Sequence, residues 1–174
     1  EKWRAPSNIA LVKYWGKHGV QLPMNPSISF TLDKAYTETE VLFLPDGERN
    51  IDFLFEGKEK HGFLPKLQQF LVRIEPYCPW LSRYSLEIST SNSFPHSSGI
   101  ASSASGMAAL SLCITAFEAK MEGTMHDLNK ASTLARLGSG SACRSLRGGF
   151  NLWGACPDVS PSSDEYAVNL AQVH

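Results

Sequence analysis

Between Ser91 and Phe117 the chain has no Asp, Glu, Lys or Arg at all. A stretch that long without charge is not a solvated loop or a surface helix, so it belongs inside the protein. Other absences narrow the class further. No apolar run approaches the roughly 18 residues that a membrane span requires. The N-terminal segment "EKWRAPSNIALVKYWGKHG" does not read as a signal peptide, because Lys13 and Lys17 interrupt its short apolar stretch. There is no CxxC pair: the four cysteines, Cys78, Cys113, Cys143 and Cys156, stand far apart. That spacing argues against a zinc site and for reduced, buried thiols in a cytoplasmic protein. There is no excess of positive charge either. Sixteen Lys and Arg against 17 Asp and Glu give a net charge of -1, which excludes a protein built to coat nucleic acid or an anionic membrane. Repeats and low-complexity segments are also missing.

What remains is a globular composition, 43% hydrophobic and 19% charged over 174 residues. That length suits one domain with a substantial core. The first part reads as strands: "NIALVKYW", "SISFTL", "YTETEVLFL" and "IDFLF" are rich in branched and aromatic residues, with "PDGERN" as a turn. In "GFLPKLQQFLVRIE", Phe63, Leu67, Phe70, Leu71 and Ile74 recur at helical spacing, and Pro76 ends the run. "YSLEIST" is a further strand. From Ile100 the uncharged segment becomes helical, through Ala104, Met107, Leu110, Ile114, Phe117 and Met121. "TMHD", Thr124 to Asp127, resembles a capping box before a short helix that stops at Gly138. "GGFNLWGAC" and "EYAVNLA" are the last strand candidates. The order predicts an α+β fold, a mixed sheet packed against helices.

Three stretches carry candidate chemistry. In "FPHSSGIASSASG", Gly99 permits close backbone approach, and Ser97, Ser98, Ser102 and Ser103 supply hydroxyls at a helix start. The free amides and the dipole there attract anions. The alternative is a tightly packed helix start with no ligand. "RLGSGSACRSLRGGF", Arg136 to Phe150, holds glycine, serine and arginine but no acid. Ser139, Ser141 and neighbouring amides could act with Arg144, whose fork-shaped guanidinium suits a carboxylate. The alternative is a surface turn with solvated arginines. In "ALVKYWGKHGVQLPMNPSIS", a strand ending at Gly16 would turn Tyr14 and Lys17 to a cleft; otherwise the lysines sit on a solvated edge. Residues 1–23 carry Lys2, Arg4, Lys13 and Lys17 against Glu1 alone, and residues 139–156 carry Arg144 and Arg147 without an acid. Positive charge beside two Ser/Gly loops points to a small polyanion.

Together, "NIALVKYWGK", "LPMNPSIS", "GIASSASG" and "ARLGSGSACRSLRGGF" resemble, in order, the signatures of the diphosphomevalonate decarboxylases of the GHMP kinase superfamily. The resemblance runs from Pro6 to about Val168. It implies the GHMP-type N-terminal domain over residues 1–174, and ATP- and Mg²⁺-dependent conversion of mevalonate 5-diphosphate to isopentenyl diphosphate, phosphate and CO₂. It also implies a cytoplasmic enzyme and a homodimer. Carried onto this sequence, it gives Arg144, Lys17 and Ser102 the catalytic roles. Arg144 would hold the substrate carboxylate, with Ser139, Gly140 and Ser141 beside it. Tyr14 and Lys17 would hold its phosphoryl end, and Asn25 would line the cleft. Ser97, Ser98, Gly99, Ile100, Ala101, Ser102 and Ser103 would cradle the ATP phosphates, with Ser102 also on Mg²⁺. His96 stands where the family commonly has Thr and is expected at the loop surface. The family's catalytic aspartate lies in a C-terminal half, and no acid here matches its motif. The competing readings are a related kinase or decarboxylase acting on mevalonate or its phosphate, and a non-catalytic nucleotide-binding module.

Overall fold

The computed structural model describes residues 1–95 and 102–172. His96, Ser97, Ser98, Gly99, Ile100 and Ala101, on which part of the anion-loop expectation falls, lie outside the described residues.

Strand β1 runs Lys2–Val12, followed by the short strands β2 (Lys17–His18) and β3 (Leu22–Pro23). β4 spans Ser27–Leu44, β5 Ile51–Phe55 and β6 Lys58–Glu59. Helix α1 is Leu64–Ile74 and strand β7 Ser85–Asn92. Helix α2 is Ser102–Glu122 and α3 Leu128–Gly138. A 3₁₀ turn at Gly140–Ser145 precedes β8 (Phe150–Trp153) and β9 (Val168–Asn169). The mixed sheet has the order β6-β5-β7-β4-β8-β9, with β1 on the other side of β4. All pairs are antiparallel except β5 with β7. β2 and β3 form a separate hairpin. The fold is the expected α+β arrangement.

β4 joins what the sequence suggests are two strands, "SISFTL" and "YTETEVLFL". The polar break between them is absorbed as an irregularity opposite β1, where the register shifts between Pro6 and Asn8. A bulge of this kind re-aims a side chain, and here Ser7 and Asn8 are both buried. Past the bulge, Thr37, Thr39 and Val41 are buried while Glu40 and Leu42 face out, the alternation of a half-buried sheet.

Helix α2 lies over β1 and β4, with α3 beside it and α1 beside α3. Ala104, Ala108, Ala109, Ser105 and Ser111 are fully buried, so small side chains on several faces let neighbouring elements approach closely. Met121, expected on the apolar face, is 38% exposed near the helix end. The start of α3 also differs from the capping-box expectation. Asp127, not Thr124, is the N-cap, and its carboxylate accepts from the amides of Asn129 and Lys130. Cys78, Cys113 and Cys143 are buried and Cys156 is half-buried, all as free thiols. Burial pushes the first three up to about 12.

Candidate functional site

Between the end of α3 at Gly138 and the start of β8 at Phe150 the chain is neither strand nor regular α-helix. Glycines and serines there form the 3₁₀ turn Gly140–Ser145, opened by a 2.7 Å bond from the Ala142 amide to the Ser139 carbonyl. The turn drives Arg144 inward: it is only 3% exposed, so the solvated-arginine alternative does not hold. Its Nη1 donates to the Ser27 hydroxyl, which in turn donates to the Val12 carbonyl at 2.6 Å. The guanidinium carbon lies 5.8 Å from the Tyr14 ring and 5.9 Å from the Trp153 ring. No carboxylate pairs with it among the described residues, and its buried Nε has no acceptor. Burial pushes its pKa down, although arginine stays charged. An unpaired buried cation with a spare donor is costly unless an anion completes it.

The surroundings of Arg144 are closely packed. Tyr14 and Trp153 meet edge to face at 5.0 Å. Trp153 is fully buried, and its indole N–H donates to the Asp164 carbonyl at 2.8 Å. A Cβ at Gly140 would lie 3.0 Å from Trp153 and 3.2 Å from the Lys17 stem, so any side chain here must push one of them back by a few tenths of an ångström. Lys17 thus packs on the turn that carries Arg144, while its ammonium donates to the Gln21 side-chain oxygen. Ser139 and Ser141 are half-buried, and neither hydroxyl has a protein partner among the described residues. Asn8, turned inward by the β1 bulge, donates to the Ser141 carbonyl at 3.2 Å and the Ser145 hydroxyl at 2.6 Å, and so braces the turn.

Asn25, expected to line the cleft, is half-buried and bonded to its own loop. Its side-chain oxygen accepts from the Trp15 amide at 2.7 Å, and its NH₂ donates to the Lys13 and Pro26 carbonyls. It holds the loop that presents Tyr14. That loop begins after Val12, earlier than a strand ending at Gly16 would have it. The positive cluster also sorts itself out. Lys2 and Arg4 both pair with Glu38, and Arg147 donates to the Ala167 carbonyl and the Asn129 side chain. Among the described residues, Lys13, Lys17 and Arg144 of this cluster have no acid partner, and one further cation, not expected, joins them: Lys66. The Lys66 ammonium is pushed down by burial and by the like charge of Lys17.

Lys66 also lines a cavity of about 210 Å³ beside the start of α2. Its other walls include Phe53, Phe55, Phe63 and Met107, with Ser102 and Ser103 at the helix end. Asn92 reaches this cavity too: its oxygen accepts from Thr37 at 2.7 Å, while its buried NH₂ has no acceptor among the described residues. An apolar slot with one unsatisfied donor suits a flat heteroaromatic base. The cavity and the Arg144 site are neighbours, because Met107 closes on Gly138, just before the 3₁₀ turn. The described residues contain no group of three or more His, Cys, Asp or Glu side chains able to hold a metal. A Mg²⁺ ion here would rely on ligand phosphates and water, with Ser102 as a hydroxyl donor, an arrangement normal for this ion.

Asn8 lies inside a quoted motif, yet its inward turn depends on a bulge that periodicity does not reveal. Lys66 reads as an ordinary helix lysine, Asn92 as a strand end, and Trp153 as one more apolar strand residue.

A family model for the diphosphomevalonate decarboxylase-like N-terminal domain matches residues 5–167. The diphosphomevalonate decarboxylase of Eremothecium gossypii is 40% identical over 97% of this chain and 45% of its own length. The Bos taurus protein of that name is 39% identical over 91% of this chain and 42% of its own. Among solved structures, mevalonate diphosphate decarboxylase from Staphylococcus aureus superposes with a TM-score of 0.78 at 40% identity, covering 97% of this chain and 49% of that one. A complex of MDDEF with MVAPP, AMPPCP and magnesium gives a TM-score of 0.75 at 38% identity, covering 97% and 50%. The chain therefore spans about half the length of the relatives it matches.

Proposed function

Because the chain belongs to the diphosphomevalonate decarboxylase-like N-terminal domain family, we propose that it forms the nucleotide- and substrate-binding portion of an ATP-dependent mevalonate 5-diphosphate decarboxylase. The observation that carries this is Arg144, a buried guanidinium with no acid partner among the described residues and an unused Nε. Arg144 takes the substrate carboxylate, with the Ser139 and Ser141 hydroxyls and the Gly140 turn alongside. Lys17 and Tyr14 face the phosphoryl end. The nucleotide base enters the Phe53/Phe55/Phe63 cavity against Asn92, and Lys66, Ser102 and Ser103 meet the phosphates. The complex of MDDEF with MVAPP, AMPPCP and magnesium supports that ligand set.

Bound ATP supplies the phosphoryl group that turns a tertiary hydroxyl into a leaving group. As phosphate departs with the C–O bonding pair, the bond to the carboxylate breaks. Its electron pair becomes the new carbon–carbon double bond, and CO₂ is released. This chain holds the acid ionised and oriented. A guanidinium prevents the carboxylate from taking a proton, and the aromatic walls limit water around it. The residues that complete catalysis, including an acid–base group, are assigned to a C-terminal portion, as the length of the relatives suggests. A cytoplasmic location is supported by the four free cysteines. No helix among the described residues is long and apolar enough to cross a membrane. The homodimer rests on family resemblance alone.

The test is turnover. The longest natural form of the protein is incubated with ATP, Mg²⁺ and mevalonate 5-diphosphate, and CO₂ and inorganic phosphate are measured together. Equal release of both is expected. ATP consumption without CO₂ would contradict the decarboxylase reading and leave phosphoryl transfer alone.

A further inference from the structure

Arg136 lies in the last turn of α3 and is 2% exposed, yet nothing on its own helix accepts its guanidinium hydrogen bonds. Nε donates to the Glu165 carbonyl at 2.8 Å, and Nη2 meets the Glu165 carboxylate. Nη1 donates to the Val20 carbonyl. All three nitrogens are used, in three directions, which a lysine could not reproduce.

The two places it reaches are the supports of the site. Val20 sits in the turn of the β2–β3 hairpin, next to Gln21, whose side chain receives the Lys17 ammonium. That hairpin is no part of the main sheet. Its strands are two residues each, and beyond them it is closed by the Met24 amide on the Gly16 carbonyl at 3.0 Å. A two-stranded hairpin of this size is not stable alone. The other end of the clamp, Glu165, follows Asp164, whose carbonyl caps the Trp153 indole and whose carboxylate accepts from the Ala155 amide at 2.7 Å. One guanidinium therefore ties the hairpin carrying Lys17 to the segment that caps the aromatic wall of Arg144.

We propose that Arg136 is a positioning residue, which holds the β2–β3 hairpin so that Lys17 meets the phosphoryl end of the substrate. This rests on the role given above to Lys17. Arg136 touches no ligand, and its effect runs through Lys17.

The test uses the longest natural form of the protein and the variants Arg136→Lys, Lys17→Met and the double variant. Hydrogen exchange by mass spectrometry compares peptides covering residues 16–24 with those of α2. Steady-state kinetics gives kcat and the KM values for mevalonate 5-diphosphate and ATP. In Arg136→Lys, amides 16–24 should exchange about tenfold faster or more while α2 is unchanged. KM for the diphosphate should rise by about tenfold, the size expected when one charge-assisted contact is misplaced. That rise should vanish when Lys17 is already Met. Because Arg136 is buried, Glu165→Gln serves as a milder variant at a half-exposed side chain, with the same direction and a smaller size. Unchanged hairpin exchange in both variants would overturn the clamp. A KM penalty that persists undiminished in the Lys17→Met background would overturn the route through Lys17. A Lys17→Met variant with unchanged KM would instead overturn the role given to Lys17, while the exchange data still report the clamp.

Discussion

Replacing Arg144 with Met should cost binding and leave folding nearly untouched. The wild-type guanidinium is 3% exposed and unpaired by any acid among the described residues. Met loses the bond to Ser27, worth about 1.5–3 kcal/mol as a hydrogen bond from a charged group. It also loses two ring contacts at 5.8 and 5.9 Å, worth roughly 0.5–1 kcal/mol each at these distances. Against this, it removes a buried, uncompensated charge, whose effective cost is several kcal/mol. Its thioether chain refills much of the space between Tyr14 and Trp153. The terms nearly cancel, so the unfolding free energy from denaturant titration should change by no more than about 1–2 kcal/mol in either direction. Binding is not balanced in this way. Two charge-assisted bonds to a carboxylate are lost with nothing in return, about 3–6 kcal/mol, or roughly 10²–10⁴ in affinity. Calorimetric titration with mevalonate 5-diphosphate measures that loss. A variant destabilised by more than about 4 kcal/mol that keeps its ligand affinity would refute the reasoning, because Arg144 would then be a structural residue.

Gly140→Ala places a Cβ 3.0 Å from Trp153 and 3.2 Å from the Lys17 stem. It should lower stability by about 1–3 kcal/mol and raise KM for the diphosphate several-fold, checked by thermal unfolding and kinetics. Asn92→Leu removes the unsatisfied donor in the cavity. It should weaken ATP about tenfold with little change in affinity for the acid substrate, read by nucleotide titration. At neutral pH a thiol reagent should label Cys156 first and reach Cys78, Cys113 and Cys143 only on unfolding, counted by mass spectrometry. Those three thiols stand at about 12 when folded, against an ordinary 9.0. The unfolded chain therefore loses its thiol protons first as pH rises. Their contribution is intact below about pH 9 and falls toward pH 12, by up to about 1.4 kcal/mol per pH unit for each thiol. Denaturant midpoints measured across that range should fall less steeply in Cys143→Ala.

Much of this fold can be read from local pattern, and much of the site cannot. The uncharged run into α2 announces a buried helix, because no solvated helix omits charge for so long. The period of Leu67, Phe70 and Ile74 gives α1 in the same way. β4 is read as two strands because its middle is polar, and only the bulged pairing with β1 shows that the chain continues. The Gly/Ser/Arg stretch marks a candidate anion site by composition, because it gathers hydroxyls, amides and guanidinium groups without an acid. Sequence does not say which arginine lacks a partner. Arg136, Arg144 and Arg147 look alike in the sequence, yet their acceptors come from distant segments, and of the three only Arg144 has a buried donor without an acceptor among the described residues. The bracing asparagines are hidden for the same reason. The partners of Asn25 hold the loop that presents Tyr14, and Asn8, which looks like a strand residue, supports the turn under Arg144.

The most direct measurement is a two-way comparison of affinity. Mevalonate 5-diphosphate and its neutral carboxamide analogue are titrated into the wild-type protein and into Arg144→Met, in the longest natural form. Wild type should prefer the carboxylate by about 10² or more, and the variant should show almost no preference. A variant that keeps the wild-type preference would mean that another group holds the acid, and would contradict the assignment of Arg144.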